Sequence, residues 1–123
     1  MKHCVTESRI YESLHNVLEF ENQNVGTVML DNQPLFNPYE VGACLGMERE
    51  TVRFHLTNMD EDERVLLKNS DVGLTNFRKL NNRGELFVTE SGIYVLIFSS
   101  HKLEAKKFRK WVPMKCMGLK NQA

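Results

Sequence analysis

The sequence predicts an α+β domain: a small antiparallel β-sheet, meander plus hairpin, packed with three to four helices that include a helix-turn-helix-like pair. Two observations carry this. Short β-favouring runs alternate with Asn, Asp and Pro over the first third of the chain, and helical stripes with recognisable caps fill the rest. With 123 residues, 41% hydrophobic and 26% charged, the chain has the size and composition of one globular unit. Residues 1–15 read as an arm or short helix, 16–117 as the folded domain and 118–123 as a C-terminal tail.

The elements follow in order. Ile10, Tyr11 and Leu14 have helical spacing but are too few to define a helix. Val17-Leu18-Glu19-Phe20 is a short strand, Glu21-Asn22-Gln23-Asn24 a turn, Val25 to Leu30 a β-branched run, Asp31 to Pro34 a second turn, and Leu35-Phe36 a third strand. Asn37 before Pro38 is a helix N-cap with proline just inside. That helix should end at Gly46, where a left-handed residue is easily placed. A second should run from about Glu48 to Leu56, with Val52 and Leu56 facing one way. Two short helices joined at a glycine outline a helix-turn-helix. Val65-Leu66-Leu67 could be a buried strand. Leu74 to Lys79, the turn 81–84 and Leu86 to Val88 read as a hairpin. Thr89 should cap a helix through Phe98 with Ile93, Leu96 and Ile97 inward. A last helix should start near His101 or Lys102, with Ala105, Phe108 and Val112 on one side, and Pro113 should end or kink it. Trp111, Phe108, Tyr94 and Phe98 are read as core.

Charge is divided along the chain. Residues 1–75 hold 6 basic and 13 acidic side chains, and residues 76–123 hold 10 basic and 3 acidic. The two parts therefore carry −7 and +7. The halves either neutralise each other or gather positive charge on one exposed surface for an anionic partner, and the pattern leaves both open. The longest apolar run, Ile93 to Phe98, is six residues, far short of the roughly 20 needed to cross a bilayer. The N-terminus does not read as a signal peptide. Three cysteines with no close pair fit a reducing compartment, so a cytoplasmic location is expected.

Catalytic signals are weak. The four histidines and three cysteines lack metal-ligand spacing, Ser91-Gly92 lacks the preceding glycine of a nucleophile elbow, and no phosphate-cradling glycine loop is present. No catalytic residue, metal or cofactor is expected, and the chain is not expected to be an enzyme. Nucleic-acid contact has two candidates. On the second helix Arg49 and Arg53 could reach guanine edges or phosphates, and Thr51 a phosphate, with Glu48 and Glu50 opposing them. Around the hairpin and last helix stand Arg78, Lys79, Arg83, Lys102, Lys106, Lys107, Arg109 and Lys110. The acidic residues Glu48, Glu50, Asp60, Glu61, Asp62 and Glu63 are the alternative site, for a basic protein partner.

From Val25 to Met117 the sequence resembles the Bro-N domain, the N-terminal module of baculovirus BRO proteins and many phage antirepressors. Three pieces carry the resemblance. The first is Gln33-Pro34-Leu35-Phe36-Asn37-Pro38-Tyr39-Glu40-Val41 with Leu45-Gly46, and the second is the acidic stretch after His55. The most specific is Val88-Thr89-Glu90-Ser91-Gly92-Ile93-Tyr94 through Ser99-Ser100 to Glu104-Ala105-Lys106-Lys107-Phe108-Arg109-Lys110-Trp111-Val112. Two positions depart from the pattern: Glu40 stands where relatives carry Asp, and Ser99-Ser100-His101-Lys102 is one charge poorer than the usual basic-Ser-basic. The resemblance implies a DNA-binding regulatory module of a phage or prophage antirepressor. Its partner would be double-stranded DNA and its setting the cytoplasm of a bacterial host. A phage repressor is a further candidate partner, and a homodimer is left open. The alternative function is a protein-interaction module that sequesters a repressor or host factor through the acidic half.

Overall fold

The computed structural model describes residues 17–72, 80–100 and 103–121. The elements run β1 (Val17–Phe20), β2 (Gln23–Leu30), β3 (Gln33–Phe36), α1 (Pro38–Cys44), α2 (Arg49–Thr57), β4 (Arg64–Leu67), α3 (Asn69–Val72), β5 (Glu85–Val88), α4 (Glu90–Ser99) and α5 (Leu103–Asn121). The strands form one antiparallel sheet in the order β1-β2-β3-β5-β4, so the α+β expectation is borne out, with five helices among the described residues rather than three or four.

The meander is built on two matched turns. Phe20 pairs with Gln23 and Leu30 with Gln33, leaving two-residue loops at Glu21-Asn22 and Asp31-Asn32. All four of those residues have positive φ, between 47° and 70°. That is the mirror-image turn whose twist suits a tight hairpin, and Asn and Asp tolerate it better than most residues. On the far side of the sheet, β5 pairs with β4 along its whole length, Arg64↔Val88 to Leu67↔Glu85. The first strand of the expected hairpin, with Arg78 and Lys79, lies outside the described residues. Its turn is present: Gly84 has φ 92° and donates to the Asn81 carbonyl at 2.8 Å.

Pleating sends alternate residues to opposite faces. One face carries Val25, Met29, Phe36 and Val88, and these join Val41, Leu45, Val52, Leu56, Ile93, Leu96, Phe108, Val112 and Leu119 in the main core. The other carries Val28, Leu35, Leu67 and Phe87, packed with Leu80 in a second, smaller cluster. The sheet is therefore buried on both faces.

Helix ends follow local chemistry. The Asn37 side-chain oxygen accepts from Tyr39 N at 2.9 Å and Glu40 N at 3.2 Å, and Gly46 takes φ 72° after α1. Thr89 caps α4 by accepting from Gly92 N at 3.2 Å, while its hydroxyl donates to the Asp62 carbonyl at 2.8 Å.

Three expectations are corrected. Phe98 is not core but 76% exposed. It lies five residues, about 140° of helical rotation, from inward Ile93. Pro113 does not end the last helix, which continues to Asn121. Proline costs a helix interior about 3 kcal/mol, a figure matched by the burial of Cys116 and Leu119 beyond it. Residues 118–121 are accordingly the end of α5 and not a free tail. The N-terminal arm lies outside the described residues.

Candidate nucleic-acid interface

α1 and α2 form a close-crossing pair. A Cβ built on Gly42 would stand 2.4 Å from Val52 Cγ2, so only glycine lets α2 pack this near. Val52 and Leu56 are buried, whereas Arg49, Glu50, Thr51, Arg53 and Phe54 are exposed. The face that the helix-turn-helix reading assigns to a partner is thus turned to solvent. The C-terminus of α2 is held by Arg64, whose Nη1 donates to Leu56 O at 2.7 Å, a structural role for a cation that the sequence left unassigned.

At the start of α2 an open cleft of about 670 Å³ lies between α1, the 81–84 turn and the β4–β5 pair. Arg49 and Arg83 both line it, with Asn37, Tyr39, Leu66 and Asn81 among the remaining wall. The Arg49 guanidinium sits 4.1 Å from the centre of the Tyr39 ring, a cation–π contact that orients it without consuming its N–H groups. Two carboxylates also reach the cleft, but each is engaged by backbone. Glu40 Oε1 accepts from Gly26 N at 2.6 Å and Glu85 Oε2 from Asn81 N at 3.1 Å. Glu40 therefore ties α1 to β2.

α5 carries the second set. Lys106, Lys107, Arg109 and Lys110 are exposed, and Ala105, Phe108 and Val112 are buried, as the wheel predicts. Phe108 packs edge-on to Phe20 and stacks with Trp111 at 5.2 Å. Lys107 lies 3.4 Å from Glu21 in the β1–β2 turn, an exposed pair of small energetic consequence. Lys106, Arg109 and Lys110 have no carboxylate partner among the described residues. No described residue of α5 lines the cleft. Lys102 lies outside the described residues.

The acidic turn is tied by hydrogen bonds within itself and to Thr89. Asp60, Glu61 and Asp62 are exposed and Glu63 is half-buried. Asp60 N donates to Glu63 Oε1 at 2.9 Å, and Glu63 O accepts from Thr89 N at 3.1 Å. Glu48 is exposed at the α2 N-cap position and makes no side-chain capping bond.

The model of the BRO family N-terminal domain, Bro-N, matches residues 24–115. The chain belongs to the Bro-N family. No curated protein and no solved structure matches it. The Bro-N match begins within β2, after β1 and its turn, and spans β3, the α1–α2 pair, the acidic turn, the cleft and most of α5, so Arg49, Arg53, Arg83 and the basic residues 106–110 lie inside the family's domain. What sequence reasoning missed in this Bro-N domain is the Arg49–Tyr39–Arg83 grouping, because its members come from three separate elements. The signal available was Tyr39 directly after Pro38, one short helix and a turn before Arg49.

Proposed function

We propose that the chain is the DNA-binding module of a phage or prophage antirepressor, acting on double-stranded DNA in the cytoplasm of a bacterial host and without catalysis. The observation that carries this reading is the convergence of Arg49 and Arg83 on one open cleft at the foot of the exposed α2 face. A major groove about 12 Å wide admits an α-helix, and α2, nine residues long, spans about 13 Å. With α2 in the groove, Arg49 and Arg83 meet the bordering phosphates, Thr51 adds a hydroxyl and Arg53 follows the groove wall. Lys106, Arg109 and Lys110 supply a second cationic surface for backbone contact.

The test is fluorescence anisotropy on duplex DNA across a salt series. Each phosphate contact adds about 0.9 to the slope of log affinity against log salt. Arg49→Ala and Arg83→Ala should each lower that slope by about one. Absence of binding by the unmutated chain at low salt refutes the reading.

A second reading has its own support in the acidic turn, which Thr89 pins in place while three carboxylates stay exposed. A preformed anionic surface suits a basic protein partner such as a repressor. Capture of the cognate repressor that survives high salt, together with feeble DNA binding, would favour it.

A further inference from the structure

We infer that Glu50 and Phe54 form the base-reading crest of α2, Glu50 accepting from a cytosine amino group and Phe54 covering a thymine methyl. The inference rests on the duplex-DNA reading above and goes beyond it, from phosphate contact to sequence selection.

Position on the helix carries the argument. Val52, fully buried, marks the direction of the core. Glu50 lies two residues before it and Phe54 two after, each about 200° of rotation away. They therefore straddle the line pointing straight out of the domain. Arg53 and Thr51, about 100° to either side of Val52, are flanks, and Arg49 is turned further round and held against Tyr39. A helix entering a groove crest-first sends Glu50 and Phe54 deepest and leaves the arginines beside the phosphates.

The chemistry of the crest is unusual for a solvated face. Phe54 is 64% exposed. Its ring contact among the described residues is edge-on to His55 at 5.5 Å. Its neighbours on the exposed face are charged or polar. Glu50 has no hydrogen-bond or ion-pair partner among the described residues, although Arg53 is near in sequence. A carboxylate at the flank would repel phosphate, but at the crest it points away from both strands and toward base edges. There a carboxylate matches the cytosine N4 donor, and an apolar ring matches the thymine methyl. The two residues are one turn apart, about 6 Å along the axis, close to two base-pair steps of about 3.4 Å.

The experiment is selection of duplexes from a randomised pool by the intact chain. The selected sites should share a cytosine and a thymine about two steps apart. Replacing that thymine by uracil deletes one methyl and keeps the pairing. It should weaken binding about fourfold, the value of one buried carbon, and Phe54→Ala should bind both duplexes equally. Glu50→Gln should move the preference at the cytosine toward adenine, whose edge suits an amide. Both side chains are exposed, so the variants should unfold like the parent, and a urea titration checks this. A pool without shared sequence overturns the inference and leaves salt-dependent DNA binding standing. So does an equal uracil effect on parent and Phe54→Ala, or unchanged selection by Glu50→Gln. Failure of the parent to bind any duplex overturns the DNA reading itself, and this inference with it.

Discussion

Alanine normally stabilises a helix relative to glycine by about 1 kcal/mol, so Gly92→Ala in α4 offers a test of sign. A Cβ at this position would stand 2.1 Å from the Glu63 carbonyl oxygen and 3.0 Å from Val88 Cβ. The carbonyl would have to withdraw by 0.9 Å to reach the 3.0 Å below which real Cβ contacts essentially never fall. It is not free to do so, because it accepts from Thr89 N at 3.1 Å, and the adjacent Asp62 carbonyl accepts from the Thr89 hydroxyl at 2.8 Å. Two hydrogen bonds at about 1 kcal/mol each and overpacking of about 1–3 kcal/mol oppose the gain in helix propensity. The net loss is about 2–4 kcal/mol. With a urea dependence of about 2 kcal/mol per molar, the unfolding midpoint should fall by roughly 1–2 M. Gly118, in α5, has nothing within 4 Å of its Cβ position, so Gly118→Ala should raise stability by about 0.5–1 kcal/mol. A Gly92→Ala protein as stable as the parent would refute the reasoning.

Three other outcomes are expected. Asn69 makes two bonds to one residue, Leu80 N donating to its Oδ1 at 2.7 Å and its Nδ2 donating to Leu80 O at 3.0 Å, so Asn69→Ala should cost about 2 kcal/mol by urea titration, and an unchanged midpoint would contradict this. Burial, helped by Glu40 and Glu21, pushes the Cys44 thiol from 9.0 up to about 11, and burial with Glu90 pushes Cys116 up to about 12. The folded state then holds protons that the unfolded chain releases, so stability should fall as pH rises from about 9 toward 12, and a flat midpoint over that range would count against burial of the thiols. Reversing Lys106 and Lys110 to Glu should weaken duplex binding and flatten its salt dependence, read by anisotropy; an unaltered slope would exclude α5 from the interface.

Much of the fold is legible residue by residue. The Glu21-Asn22 and Asp31-Asn32 turns, the Asn37 and Thr89 caps and the Gly46 bend are short-range events, settled by side chains within a few positions of each other. The Val88–Val112 signature and the inward stripe of α4 are likewise local. Phe98 and Pro113 misled for a common reason. An apolar or helix-breaking residue speaks only for itself, while its exposure or tolerance depends on the element packed beside it. The candidate site was legible as a list of cations but not as an arrangement. Lys107 meets Glu21 from the far end of the chain, and Arg83 joins Arg49 across the cleft.

By itself the sequence determined most of the element types (α3 excepted), the Asn37 and Thr89 caps, the division of charge and the family, because each depends on neighbours along the chain. The tertiary structure decided which strand lies beside β5, that both sheet faces are buried, and which arginines converge. It also decided that Glu50 and Phe54 point outward together. These depend on packing between segments distant in sequence, where burial of apolar surface, which has no directional signature in the local pattern, selects the arrangement.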